Sequence, residues 1–373
     1  MHVAVIADSP WLEEELAGFK GLVVGLLDEQ VGVTQVVPEG SLESDTTVFG
    51  QRVYWREATW PFLQRRRLRA LSEALAGSGV NIVHATSGRV WDGAIALAAE
   101  MESALVLAIH ASRDTERLPK AVEKVDPQRL AVVATTTPIA EAVRTRLGTA
   151  ATVLPSEETG PRRPTALVEV VAPGVHVPEQ PVARRTDPEA MCAVVSGTGV
   201  YDPSYEALFT ALRAVVDQRP LTQFFFDGQA ADQHYLWQAA RRHNLLSNIS
   251  LVPRRLGPQR LLMGADVLIQ PQPLGRSRSL TLQAMAEGIP IIAASDPAVD
   301  YLIDGETAWV LDHPTADGWQ QALARLTSEP DAVATLIERA RAHVARRHLV
   351  SHRVTQFIKT YRVLTNEMIP LRG

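Results

Sequence analysis

One stretch of the chain, Leu262 to Leu311, alternates short apolar runs with an amphipathic run. Its first apolar run, Asp266 to Gln270, and its second, Pro290 to Ala294, have the length and composition of buried strands. Between them lies a loop rich in Pro, Gly and Arg, followed by a segment with helical periodicity. A strand, a helix and a second strand in this order indicate an open α/β sheet.

The helix in this stretch is predicted to begin at Ser279 or Thr281, because both residue types cap helices well, and to end at Gly288. Its N-terminus therefore lies at the carboxyl end of a strand, where open α/β sheets bind ligands. Free N–H groups and the helix dipole favour a phosphate there, and Arg276 and Arg278 add full charges. The alternative is that both arginines only solvate the loop.

The motifs of this stretch follow one another in a specific order. They are Ala265-Asp266-Val267, Pro271, Gly275, Ala284-Met285-Ala286, Gly288 to Ala293 and Asp304-Gly305-Glu306-Thr307. This order resembles the donor-sugar half of the retaining glycosyltransferases of family 4. The resemblance implies the GT-B architecture, an α/β fold of two facing Rossmann-like domains with a C-terminal helix that crosses back to the first domain. It also implies hexose transfer from a nucleotide diphosphate sugar, with no cofactor and no metal.

Length and composition agree with two α/β domains. The chain has 373 residues, of which 46% are hydrophobic and 21% charged, so each domain can bury its own core. No apolar run reaches the roughly 18 residues of a membrane span, and the sequence opens on a strand without a signal-peptide start. Cys192 lies in an apolar run and is expected to be a buried thiol. We therefore expect a cytoplasmic protein, and the net charge of −5 argues against a nucleic-acid partner.

The domain boundaries are predicted from a motif and a linker. The segment Val171 to Val175 resembles the end of the family's first domain, and the polar, Pro-rich segment that follows it is typical of a linker. The prediction is an acceptor-side Rossmann-like domain over residues 1–178 and a donor-side Rossmann-like domain over residues 179–350. Residues 351–373 are predicted to form the helix that returns to the first domain.

His110 is the candidate catalytic residue. It follows an apolar strand, Ala104 to Ile109, and matches the family's histidine that reaches the donor sugar near the reaction centre. A lone histidine after a strand is often structural, so both interpretations stay open.

Several positions depart from the charged residues of the family. Thr198 stands where the family has an arginine, and Ser204 or Tyr205 stands near its lysine. In the family these two cations neutralise the leaving diphosphate. Gly275 and Gln283 stand where the family has two glutamates, which are placed at the sugar and ribose hydroxyls. An amide can still bind a ribose hydroxyl, although more weakly than a carboxylate does.

The donor-binding residues are predicted from the resemblance and from the charge near the loop. They are Gly197, Thr198, Arg254, Arg276, Arg278, Ser279 and Gln283. The sequence contains no Asp-x-Asp metal motif. The first loop, Asp8 to Glu15, lacks the family's glycine pair and is acidic, so it would repel a diphosphate unless its carboxylates point away on a helix.

A basic amphipathic segment occupies residues 60–71. One interpretation is a helix that contacts an anionic membrane surface, as in relatives that glycosylate lipids. The other is a helix packed beside the sheet with its arginines in water. Membrane association and the nature of the acceptor, glycan or lipid, therefore stay open.

Two functions follow from these patterns. The first is a retaining hexosyltransferase in which Arg276 and Arg278 replace the missing cations, since losing both cations would remove several kcal/mol of transition-state stabilisation. The second is a catalytically inactive pseudo-glycosyltransferase that binds a partner or a glycan. Altered residues at independent chemical positions, beside intact packing motifs, favour the second. Catalytic activity and oligomeric state are left open.

Overall fold

The computed structural model describes most of the chain. The described residues are 1–40, 50–55, 61–123, 125–148, 166–181, 190–198, 200, 202–227, 233–252, 261–262 and 264–365. The chain divides into two compact units. Unit 1 consists of Met1–Gly174 and Val350–Gly373, and unit 2 consists of Val175–Leu349.

Unit 1 contains a parallel sheet that, within the described residues, has seven strands in the order β3-β2-β1-β4-β5-β6-β7. The strands are β1 (His2–Ile6), β2 (Gly32–Pro38), β3 (Gln51–Trp55), β4 (Ile82–Ala85), β5 (Ala104–Ile109), β6 (Leu130–Ala134) and β7 (Leu167–Val170). The helices are α1 (Ser9–Asp28), α2 (Pro61–Leu75), α3 (Trp91–Glu100), α4 (Leu118–Val122) and α5 (Thr137–Leu147), with 3-10 turns at Ser112–Glu116 and Pro127–Arg129. Strands such as β5 are apolar along their whole length because helices cover both faces of the sheet.

Unit 2 contains a second parallel sheet, with six strands in its described part, in the order β10-β9-β8-β11-β12-β13. The strands are β8 (Cys192–Val195), β9 (Gln223–Asp227), β10 (Ile249–Val252), β11 (Val267–Gln270), β12 (Ile291–Ala294) and β13 (Trp309–Leu311). The helices are α6 (Pro203–Gln218), α7 (Gln233–Arg242), α8 (Ser279–Glu287), α9 (Ala316–Ser328) and α10 (Pro330–Arg347). Two apolar clusters pack on the two faces of this sheet.

The strand–helix–strand prediction for the central stretch is confirmed. The strands β11 and β12 begin one residue later than predicted, and α8 begins at Ser279. The helix ends at Gly288, which adopts a left-handed conformation with φ of 79°. A residue with a side chain would be strained there, so the glycine sets the end of the helix.

The C-terminal helix α11 (Val350–Thr365) belongs to unit 1 and packs against α1, as predicted. The two helices can approach closely because α1 has a glycine, Gly25, at the contact. A Cβ atom added to Gly25 would lie 2.5 Å from Cγ2 of Val354, closer than packed atoms allow. Arg353, which is buried, donates from Nη1 to the carbonyl oxygen of Gly18 at 3.1 Å.

The two chain segments at the ends of unit 2, near Val175 and near Leu349, are bonded to each other. The N–H of Val175 donates to the carbonyl oxygen of His348 at 2.7 Å, and Val175 forms a parallel bridge with Leu349. The chain passes from one unit to the other at 174/175 and at 349/350, and the predicted boundary after residue 178 lies a few residues downstream of the first of these points.

The basic segment at residues 60–71 lies largely in α2. Leu71 and Leu75 are buried in the core of unit 1, whereas Arg66 and Arg69 are exposed. Trp60 lies outside the described residues. One face of α2 thus packs on the sheet, and contact of its basic face with a membrane stays a prediction. Across the part of the chain that the structure describes, no helix combines the length and the apolar character that crossing a membrane requires.

Candidate functional site

The candidate site of unit 2 lies where the order of its strands reverses, between β8 and β11. At such a point the connections leave in opposite directions, which opens a crevice at the carboxyl ends of the strands. Ser196 follows β8, and its N–H donates to the carbonyl oxygen of Ile269 in β11 at 2.9 Å. Gly197 is buried directly after Ser196. The residues that follow both strands therefore meet at this edge.

The loop after β11, residues 271–278, is held by the carboxylate of Asp296. Its Oδ2 atom accepts the N–H groups of Leu274 and Gly275 at 2.7 and 2.9 Å. Its Oδ1 atom accepts the N–H of Ala298 at 2.9 Å, which fixes the carboxylate itself. Gly275 has φ of 63°, a conformation that favours glycine. The hydrogen bonds of Asp296 and the left-handed glycine together define the backbone path of the loop.

The N-terminus of α8 is fixed by two further contacts. The N–H of Arg278 donates to the hydroxyl oxygen of Tyr301 at 3.1 Å. The side chain of Gln270, at the end of β11, donates to Oγ1 of Thr281 at 2.9 Å. Ser279, the first residue of the helix, is buried. The helix therefore presents its positive end at the carboxyl edge of the sheet in a fixed orientation.

Arg278 is almost completely buried, with 2% of its surface exposed. Its Nη2 atom lies 2.8 Å from Oδ2 of Asp227 at the end of β9, and its Nη1 atom donates to the hydroxyl of Ser196. The pair ties the residue before α8 to the end of β9 and compensates the charge of Arg278. The role of Arg278 as a cation beside a diphosphate stays a prediction, and the structure shows that the carboxylate of Asp227 balances its charge.

Arg276 lies earlier in the same loop and is partly exposed. Gln283 lies in the second turn of α8, where its amide donates to Oε1 of Glu287 at 2.7 Å. Burial raises the pKa of Glu287, and the hydrogen bond from Gln283 opposes this effect. The predicted ribose-binding amide thus stabilises a neighbouring carboxylate on its own helix. Arg254 lies outside the described residues.

A carboxylate occupies the N-terminus of α6, near the position of the missing cations. Oδ1 of Asp202 accepts the N–H of Ser204 at 2.9 Å, and Oδ2 accepts the side-chain amide of Gln272 at 2.7 Å. Thr198 is partly exposed, and its hydroxyl oxygen accepts the N–H of Val200 at 3.3 Å. Tyr205 is fully buried in the core. Of the two residues predicted near the family's lysine, only Ser204 therefore lies at the surface.

His110, the candidate catalytic residue, lies directly after β5 in unit 1 and is half-buried. Its ring packs against Trp11 with a centroid distance of 5.7 Å. The N–H of Trp11 donates at 2.9 Å to the buried carboxylate of Asp8, which caps α1. The other oxygen of Asp8 accepts the hydroxyl of Ser87. The imidazole therefore stands at the carboxyl edge of the first sheet, beside the indole of Trp11 and tilted by 54° relative to it.

The acidic first loop proves to be helical. Glu13, Glu14 and Glu15 lie in α1, of which Asp8 is the N-cap, and Glu13 is exposed. None of the three lies in the first turn, and Glu15 has non-helical backbone angles at a kink, so the helix dipole contributes little to them.

The structure brings together part of the predicted donor set, namely Gly197, Thr198, Arg278 and Ser279, at one edge of unit 2. The residues that the sequence analysis missed are Asp227, Asp296 and Tyr301, which orient this set. Asp227 is the last residue of an apolar strand, and a carboxylate at the end of such a strand is the sequence feature that could have identified it. Among the described residues, no group of three or more His, Cys, Asp or Glu side chains is arranged to hold a metal ion.

Residues 275–359 match a family model described as glycosyl transferase-like. This range begins in the loop after β11 and extends through α8 into α11. No protein among the curated sequences matches the chain.

Solved structures align over nearly the whole chain. Sucrose-phosphate synthase from Thermosynechococcus elongatus has a TM-score of 0.73 at 14% identity, covering 99% of this chain and 100% of its own. HepE from Anabaena, in complex with UDP and glucose, has a TM-score of 0.68 at 11% identity, covering 96% and 99%. A glycosyltransferase from Rickettsia africae has a TM-score of 0.67 at 12% identity, covering 98% and 99%. Structural similarity at such low sequence identity establishes the fold alone. Residues 275–359 are thus glycosyl transferase-like in sequence, and the chain has the α/β fold of the GT-B glycosyltransferases.

Proposed function

We propose that the protein is a retaining glycosyltransferase of the family 4 type, which transfers a hexose from a nucleotide diphosphate sugar. One observation supports the proposal most directly. The match to the glycosyl transferase-like model begins in the loop that Asp296 and Tyr301 hold at the strand-order reversal. HepE, which shares the fold, binds UDP and UDP-glucose. The donor is a substrate, and no metal or other cofactor takes part in the proposed reaction.

In this proposal the donor's diphosphate lies at the N-terminus of α8. The helix dipole and the fixed loop favour an anion there, and Arg276 supplies a cation that is partly exposed. Arg278 contributes through position, because it holds Ser196 and Asp227 at the edge of the crevice. Gly197, Thr198 and Ser279 line the same edge, and Arg254 and Gln283 are assigned to the nucleoside by resemblance.

Transfer breaks the bond between the anomeric carbon and the diphosphate oxygen, so negative charge develops on the diphosphate. Groups that are already oriented towards this charge lower the barrier without reorganising. His110, which we assign to the sugar side, contributes mainly in the transition state. Its replacement should therefore lower turnover far more than donor affinity.

A second candidate function is binding without turnover. The buried pair of Arg278 and Asp227 favours it, because a compensated cation stabilises a diphosphate less than an unpaired one. The carboxylate of Asp202 at the N-terminus of α6 has the same effect, since it occupies an end of a helix that would otherwise favour an anion.

Hydrolysis of the donor in the absence of an acceptor separates the two candidates. We expect the protein to release UDP slowly from UDP-glucose and to yield first the α-anomer of glucose, which proton NMR detects before mutarotation. His110→Ala should bind UDP-glucose within about twofold of the parent and lose most of this release. Initial β-glucose would refute retention. Binding of UDP-glucose without any release of UDP would favour the second candidate.

A further inference from the structure

A hydrogen bond joins the two sides of the strand-order reversal in unit 2. Gln272 lies shortly after β11, in the loop that leads to α8, and Asp202 is the N-cap of α6, which follows β8. The side-chain Nε2 atom of Gln272 donates to Oδ2 of Asp202 at 2.7 Å. Because β8 and β11 are neighbours in the sheet, this amide lies between the residues that follow the two strands. The side chain of Gln272 therefore spans the crevice at the carboxyl edge of the sheet.

The carboxylate of Asp202 is fixed independently of Gln272. Its Oδ1 atom accepts the N–H of Ser204 at 2.9 Å and also the hydroxyl of the same serine. A carboxylate only accepts hydrogen bonds, so the amide of Gln272 must turn its NH2 group towards Asp202. The carbonyl oxygen of this amide is then directed away from Asp202. Asp202 thus determines where the oxygen of Gln272 points.

The carbonyl oxygen of Gln272 is buried without a hydrogen-bond donor. Gln272 is 5% exposed, and no donor among the residues that the structure describes reaches its Oε1 atom. The hydroxyl of Ser277, in the same loop and also 5% exposed, has no partner within that part of the chain either. Folded proteins contain few such atoms, because a buried polar atom without a partner loses its hydration and gains nothing in return. The loop therefore offers polar groups that a ligand can complete.

The chemistry of an amide oxygen restricts the ligand group that can complete it. The oxygen accepts a hydrogen bond, so its partner must carry a hydrogen on oxygen or nitrogen. An ionised phosphate oxygen is excluded because it also only accepts, and the charge of Asp202 repels anions from this position. A hexose is electrically neutral and carries several hydroxyl groups that donate. A sugar hydroxyl therefore fits the oxygen of Gln272.

We propose that Gln272, oriented by Asp202, accepts a hydrogen bond from a hydroxyl of the donor's hexose and thereby helps to select the sugar. This assignment rests on the proposed donor site. Gln272 begins the loop that ends at the N-terminus of α8, and Asp296 holds that loop between them. Gln272 is then a specificity-determining residue. Asp202 is a positioning residue, because it acts on the sugar only through the amide of Gln272.

A nucleotide and its sugar conjugate, titrated side by side, isolate the contribution of the hexose. The calorimetric probes are UDP, ADP and GDP and the glucose conjugate of each. For the nucleotide that binds, Gln272→Ala should weaken the conjugate about three- to tenfold and leave the nucleotide within about twofold of the parent. Gln218→Ala, at the exposed last residue of α6, is the matched control and should change neither affinity.

Variants at positions 202 and 272 test the positioning role through the ratio of the two affinities, conjugate over nucleotide. Asp202→Asn can donate to the oxygen of Gln272, and Gln272→Glu places two carboxylates face to face, so each should lower the ratio. The double variant D202N/Q272E exchanges donor and acceptor, and the second oxygen of the new carboxylate stays available to the sugar. We expect the ratio to recover in this variant. A ratio that stays low in a double variant that unfolds at the parent's temperature would contradict the role of Asp202.

Analogues of the glucose conjugate that carry fluorine at C2, C3, C4 or C6 identify the hydroxyl, since fluorine cannot donate. One analogue should bind the parent about as weakly as the unmodified conjugate binds Gln272→Ala, with no further loss in that variant. Additive losses for all four analogues would refute the contact. So would a Gln272→Ala variant that binds the conjugate like the parent, or one that loses nucleotide and conjugate equally. A parent that binds none of the nucleotides or conjugates would instead refute the proposed function, and this assignment with it.

Discussion

The guanidinium group of Arg278 and the carboxylate of Asp227 form a buried ion pair with an N–O distance of 2.8 Å. The pair joins the residue before α8 to the last residue of β9. It therefore ties the N-terminus of the candidate donor-binding helix to the neighbouring half of the sheet. Removing one partner leaves an uncompensated charge in a site from which water is excluded.

We predict that Arg278→Ala lowers the free energy of unfolding of the protein by about 3–5 kcal/mol. Arg276→Ala is the matched control, because Arg276 is partly exposed, and we expect its stability to stay within about 0.5 kcal/mol of the parent. Urea denaturation measures both. The double variant Arg278→Met/Asp227→Leu should recover much of the loss. Equal stabilities of the two single variants would show that the pair does not support the fold.

A second prediction concerns the packing of α11 on α1. Gly25→Ala should lower the free energy of unfolding by about 1–3 kcal/mol, because its Cβ atom would lie 2.5 Å from Val354. Val354→Ala in the same chain should relieve part of this cost. Gly77→Ala is the control, since nothing lies within 4 Å of its added Cβ atom. Equal unfolding midpoints for Gly25→Ala and Gly77→Ala would contradict the observed packing of the two helices.

The sequence predicted the strands and the helix of the central stretch because their signals are local. Apolar runs define β11 and β12, and Gly288 marks the end of α8. The pairing of Arg278 with Asp227 joins residues 51 positions apart and depends on the strand order, which no local pattern encodes. The same holds for Tyr301, whose hydroxyl accepts the N–H of Arg278. Local motifs thus predicted the loop and helix of the candidate site, and tertiary structure determined how the charge of Arg278 is compensated.

A third prediction concerns pH. His84 is fully buried, and its Nδ1 atom lies 2.7 Å from the hydroxyl oxygen of Tyr361 in α11. Burial, with smaller contributions from Arg353 and His110, lowers the pKa of His84 to about 3. The unfolded chain has the ordinary histidine pKa of about 6.5. It therefore binds a proton at a pH where the folded state does not, and stability is lost as the pH falls below about 6.5.

Below pH 6.5 the free energy of unfolding falls by about 1.4 kcal/mol per pH unit. Protonation of His84 in the unfolded chain should therefore lower this free energy by about 2 kcal/mol between pH 7 and pH 5. Urea denaturation at both pH values measures the change. His84→Gln should unfold with a correspondingly smaller dependence on pH, although its absolute stability is lower because it loses the packing against Phe357. Tyr361→Phe keeps the buried imidazole and should retain the pH dependence. The same pH dependence in the parent and in His84→Gln would refute this assignment.

The measurement that tests the central claim most directly is a calorimetric titration of the protein with UDP-, ADP- and GDP-hexoses. We expect at least one of these donors to bind with a dissociation constant below about 1 mM, with affinity that falls steeply as salt is added. Arg276→Ala should weaken that binding at least about tenfold, or about 1.4 kcal/mol, whereas Arg241→Ala, an exposed position elsewhere in unit 2, should leave it unchanged. No binding of any nucleotide sugar at millimolar concentration, or equal affinity in the parent and in Arg276→Ala, would contradict the assignment of the donor site.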